Sequence, residues 1–162
     1  MRHRTVTKGS NVRWLAVAAL AFGTASIAPA QSSHLGARIG YDFDSREVLL
    51  STNLTVPVSQ RVEFYPSIDV YTPDRGSKLG FNGDFKVRFP VRSGPEMYLG
   101  GGLGVLNRSV GDFSRTDVGA NMLFGMESRI GRVHPFGEAR IHLNDGTSLR
   151  LIGGLNFTLG GP

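Results

Sequence analysis

Apolar and polar residues alternate with a period of two along most of this chain. The run from residue 79 to 91 shows it best. Leu79, Phe81, Phe85, Val87, Phe89 and Val91 take the odd positions, while Asn82, Asp84, Lys86 and Arg88 take even ones. Successive side chains of an extended strand point to opposite faces, so this segment has one apolar and one charged face. The same reading predicts strands over 35–43, 48–58, 62–71, 97–106, 117–127, 135–143 and 149–159. In the first of these, Leu35, Ile39 and Phe43 oppose Arg38 and Asp42. In the segment 135–143, Ala139, Ile141 and Leu143 oppose Glu138, Arg140 and His142. No helical period interrupts the series.

Short polar connections separate the segments, among them Asp44-Ser45-Arg46, Ser59-Gln60-Arg61, Arg92-Ser93-Gly94-Pro95 and Ile130-Gly131-Arg132. Asp145-Gly146 is a hairpin dipeptide that favours positive φ at both turn positions. Connections this short make neighbouring strands antiparallel. Eight strands in a meander close into a barrel, which removes exposed edges. Pro57, Pro90 and Pro135 fall at strand ends on one side, whereas Pro66 falls inside a strand. Lacking a ladder donor, Pro66 predicts a bulge.

Alternation alone leaves open which face is wet, and three features turn the apolar face outward to lipid. Glycine concentrates on the polar face: Gly36, Gly40, Gly80, Gly100, Gly102, Gly104, Gly119, Gly125 and Gly154, against Gly83, Gly101, Gly137 and Gly153 on the other. Glycine weakens an exposed strand but suits a narrow interior where side chains interleave. The polar face mixes both signs of charge, as a paired interior network requires. The apolar face carries no charge in any segment, and an outward charge near a bilayer midplane would cost ~2–4 kcal/mol. Segments of about 9–13 residues match tilted membrane strands.

The N-terminus supplies an export step. Residues 1–13 carry Arg2, Arg4, Lys8 and Arg13 without an acidic residue. An apolar run over 14–22 follows, then small residues ending in Ala28-Pro29-Ala30. This is the composition of a cleaved signal peptide, too short in its apolar core for a membrane helix. The domain organisation is therefore a signal peptide at 1–30 and a barrel domain at 31–162. Those four basic residues leave with the signal while all 13 acidic residues stay, so the mature domain is near neutral and the pI of 10.1 gives no case for nucleic-acid binding. The chain has no cysteine, which excludes disulfides and thiolate metal sites.

The chain resembles the small outer-membrane β-barrel superfamily, the group containing the opacity proteins and the transmembrane domain of outer-membrane protein A. The resemblance covers the whole mature region and is strongest in the closing hairpin, Pro135-Phe-Gly-Glu-Ala-Arg-Ile-His-Leu-Asn-Asp-Gly-Thr-Ser-Leu-Arg-Leu-Ile-Gly-Gly-Leu-Asn-Phe-Thr-Leu159. It implies an eight-stranded antiparallel up-and-down transmembrane β-barrel in a Gram-negative outer membrane, in contact with lipid and lipopolysaccharide. It also implies delivery by the barrel-assembly machinery, which reads a terminal aromatic residue. Phe157 is the last aromatic here, followed by Thr-Leu-Gly-Gly-Pro.

Some eight-stranded barrels modify lipid A, and a deacylase of that kind resembles a Ser-His-acid hydrolase. The residues available are Glu138, His142 and Ser148. Glu138 and His142 share a face but lie roughly 13 Å apart along a strand, and only face parity supports Ser148. Gly100-Gly-Gly-Leu-Gly104 lacks the helix and the Lys-Ser/Thr pair of a phosphate loop. His34, His134 and His142 have no metal spacing. No catalytic residue, cofactor or metal site is therefore assigned. The loops near Ser45, Asp74, Asp112 and Gly146 are short, and an eight-stranded lumen fills with side chains. The expectation is a monomeric, non-enzymatic, non-conducting barrel with a structural or surface-interaction role. The alternatives are a soluble periplasmic lipocalin-like barrel around a small apolar ligand, and a lipid A-modifying hydrolase.

Overall fold

A computed structural model describes residues 32–144 and 146–160. The signal-peptide segment lies outside the described residues, as does Asp145 of the expected hairpin dipeptide. Eight strands follow in chain order: β1 Ser33–Asp42, β2 Glu47–Pro57, β3 Val62–Tyr71, β4 Ser77–Phe89, β5 Glu96–Val110, β6 Phe113–Glu127, β7 Val133–Leu143 and β8 Thr147–Leu159. Each pairs antiparallel with its sequence neighbours. β1 pairs with β8 from Ser33–Leu159 to Asp42–Arg150, closing the barrel.

The polarity is that of a membrane barrel. Ile39, Val70, Phe85, Val87, Leu103 and Ile141 are exposed on the outer wall, while Arg38, Asp69, Asp84, Lys86, Glu138 and Arg140 are buried inside. A lipocalin-like barrel needs the reverse, with its apolar face lining the interior. The lumen here is packed with charged and amide side chains instead. An open groove of about 310 Å³, lined in part by Phe124, Met126, Gly137, Ala139 and Leu151, lies on the outer wall.

Close approach explains the inward glycines. A Cβ on Gly102 would lie 2.1 Å from the Gly83 carbonyl oxygen, and one on Gly36 would lie 2.1 Å from Asn156 Oδ1. On the outward-facing Gly137 it would meet nothing within 4 Å.

Three local expectations change. Pro66 makes no bulge. β3 keeps one unbroken register with β4 through Pro66–Gly83. On the β2 side the register is the same before and after, and only the pairs opposite Tyr65 and Pro66 drop out. The donorless nitrogen interrupts the ladder on one side without inserting a residue. Second, β5 and β6 run past the expected 106 and 117 to Val110–Phe113, around the two-residue loop Gly111-Asp112. Gly111 has φ 58° and stands first in that loop, as in a type II′ turn. Third, β7 and β8 meet at Leu143–Thr147, so their loop holds three residues rather than two. Asn144 closes it, its side-chain oxygen accepting from the Gly146 N–H at 3.0 Å.

Candidate functional site

The concentration of chemistry is the lumen, which is built in three levels. Midway along it, Arg38 on β1 reaches across to β3, pairing with Asp69 at 2.8 Å and donating to the Tyr65 hydroxyl at 3.0 Å. Arg140 on β7 pairs with Asp84 on β4 at 3.0 Å and with Glu138 at 3.1 Å. Tyr98 donates to Glu138 at 3.0 Å. Lys86 lies over the Tyr65 ring at 3.8 Å and 3.7 Å from Glu63. Arg140, Asp84 and Asp69 have 0% exposure, so each charge depends on its partner for compensation.

The end of the barrel holding the chain termini has a second network. Glu63 accepts Arg88 at 2.9 Å and Arg129 at 2.7 Å. Arg88 also binds Glu96, and Arg129 pairs with Glu127 at 3.3 Å. At the opposite mouth, Asp42 pairs with Arg150 at 3.1 Å and Lys78 at 3.9 Å, beside an apolar cluster of Leu49, Tyr71 and Leu106. Most of these pairs join different strands, so they brace the barrel across its bore.

The three hydrolase candidates do not assemble as a triad. Ser148 faces His142 across the β7–β8 ladder, but its hydroxyl donates to both oxygens of Asp42 at 3.0 Å. The His142 Nδ1–H donates to Asn121 Oδ1 at 2.7 Å. The Asn121 amide nitrogen donates to Asn82 Oδ1 and Asp84 Oδ1, which orients its oxygen toward the ring and fixes the imidazole tautomer. Glu138 is engaged by Arg140 and Tyr98 at the middle level. A base, a nucleophile and an acid are present, but each is held by a different partner.

Asp42 as the partner of Ser148 was not legible, because β1 and β8 meet only on closure. Closure also brings together two histidines that lie far apart in sequence. The His34 and His134 rings lie 4.8 Å apart, with His134 3.8 Å from Glu127. Even so, no group of three or more His, Cys, Asp or Glu among the described residues is arranged to hold a metal ion. The run Gly100–Gly104 is part of the β5 wall, with Gly100, Gly102 and Gly104 turned inward, not a loop.

The fold and polarity define the class: a small eight-stranded barrel of transmembrane type. No protein-family model matches the sequence, and no characterised protein is significantly similar to it. Solved structures share the architecture. The N-terminal β-barrel domain of Pseudomonas aeruginosa OprF superposes with a TM-score of 0.69 at 16% identity, covering 79% of this chain and 97% of that one. Neisserial surface protein A gives 0.59 at 12%, covering 79% and 95%. Ail, the attachment invasion locus protein of Yersinia pestis, gives 0.50 at 11%, covering 79% and 95%. This chain has the fold of the small outer-membrane barrels.

Proposed function

We propose that this chain is a resident barrel of a Gram-negative outer membrane, exported by a cleaved signal peptide, with a structural role and no enzymatic activity. One observation carries the reading. The surface that a soluble protein would keep polar is a continuous band of Leu, Val, Ile, Phe and Met, and the interior that it would keep apolar is ionic. Such a molecule is stable only where its outside meets hydrocarbon. The likeness to barrels of outer-membrane proteins supports the location. Its partners on this reading are lipid, lipopolysaccharide and the barrel-assembly machinery. Closure leaves no strand edge for another chain to extend, which favours a monomer.

The test is fractionation of the full chain expressed in a Gram-negative host. Recovery in the detergent-soluble outer-membrane fraction is expected, and recovery as a soluble periplasmic protein would refute the reading.

A surface-interaction role has one specific observation in its favour. The β5–β6 hairpin outruns the apolar band. Its outer face turns polar at Asn107, Ser109, Ser114 and Thr116, and Phe113 at its tip is 85% exposed.

A further inference from the structure

Seven turns join the eight strands, and their charge divides by end. Three lie at the end holding the termini, over residues 58–61, 90–95 and 128–132. Each presents an exposed arginine: Arg61, Arg92 and Arg132. Each also presents an exposed aliphatic side chain: Val58, Val91 and Ile130, the last 80% exposed. None of the three contains an acidic residue, so each is net positive. All four turns at the opposite end contain an aspartate, which offsets the exposed Arg46 and Arg75 in two of them and leaves none net positive. The carboxylates nearest the arginine end, Glu63, Glu96 and Glu127, sit on strands and pair with Arg88 and Arg129.

We propose that these three turns form a ring that seats the barrel on the phosphate plane of an anionic glycerophospholipid leaflet. The proposal rests on the membrane-spanning reading above. Guanidinium groups bind phosphate oxygens in a fork, and an aliphatic neighbour buries beside them at the acyl boundary. Geometry selects a surface over a small ligand. The three turns are spaced two strands apart around the wall, roughly 10 Å between neighbours at the usual interstrand spacing. Side chains so dispersed meet a plane that surrounds the barrel; they do not converge on one molecule. Basic side chains near an anionic leaflet are attracted to it, and salt screens the attraction.

The test refolds the full mature chain into phosphatidylcholine vesicles with and without a one-third fraction of phosphatidylglycerol. Folding is read by heat-modifiable gel mobility. Lipid preference is read by electron spin resonance of spin-labelled phosphatidylglycerol against labelled phosphatidylcholine. The native chain is expected to select phosphatidylglycerol by at least about twofold at low salt and to lose the preference at high salt. The triple variant Arg61→Gln, Arg92→Gln, Arg132→Gln should fold and show a ratio near one. The control Arg46→Gln, Arg75→Gln, in turns where an aspartate already offsets the arginine, should keep the native ratio. A folded native chain with no preference, or one insensitive to salt, overturns the ring alone, as does a triple glutamine variant that keeps it. Should that variant not fold, the salt dependence of the native chain decides. A native chain that enters neither vesicle overturns the membrane reading and the ring with it.

Discussion

Arg140 is held between Asp84 and Glu138 with 0% exposure. Replacing it with Met takes the cation from Asp84 and leaves Glu138 only Tyr98 and a longer pair with Arg38 at 3.8 Å. Breaking a buried pair in this way costs about 3–5 kcal/mol. Arg140→Met is therefore expected to lower the unfolding free energy from urea titration of the vesicle-folded barrel by that amount, and adding Asp84→Asn should recover part of the loss. Glycines give a paired test of crowding. Gly102→Ala drives a Cβ to 2.1 Å from backbone and should cost about 1–3 kcal/mol, while Gly137→Ala meets no atom and should stay within about 1 kcal/mol of the native chain. Folded fraction against temperature separates the two. For Glu138, His142 and Ser148 the inward side was legible, because parity alone sets it. Their partners were not. Asn121 is 21 residues from His142 and Asp42 is 106 from Ser148, so only strand pairing brings them together.

Among the elements, β5 and β6 mark the depth of the membrane. Leu103 and Val105 are exposed on the outer wall, but Asn107 and Ser109, one and two outward positions further on, are polar. An arginine at Leu103 should cost ~2–4 kcal/mol in refolding titrations, and one at Ser109 no more than about 1 kcal/mol. The outer third of this hairpin escaped the sequence pattern for the same reason. Period-two contrast requires lipid on one side, and above the band both faces meet water, although the ladder continues to Val110–Phe113. Pro66 misled in a different way. Its missing donor was legible, but the response, a local gap facing β2 in place of a bulge, depends on how the register is pinned on either side of it. Continuous pairing with β4 pins it here.

At the scale of the whole molecule, the bore is crossed from several directions. Arg38 binds β3, Arg140 binds β4, and Lys78 reaches Asp42 on β1. Planar-bilayer recordings of the folded chain should show no stable open channel, and long-lived unitary steps would contradict a plugged lumen. Strand number, strand order and the inward set of charges were all determined by the sequence. Each follows from the alternation of neighbouring residues and from turns too short for anything but antiparallel return. The direction in which the apolar face points was inferable from glycine placement, since only a crowded interior needs so many positions without a side chain. Tertiary structure alone decided which charge meets which, that Asp42 takes Ser148, and that His34 lies against His134. Those contacts join residues brought together by closure and by the bore's small diameter, and one-dimensional spacing contains neither.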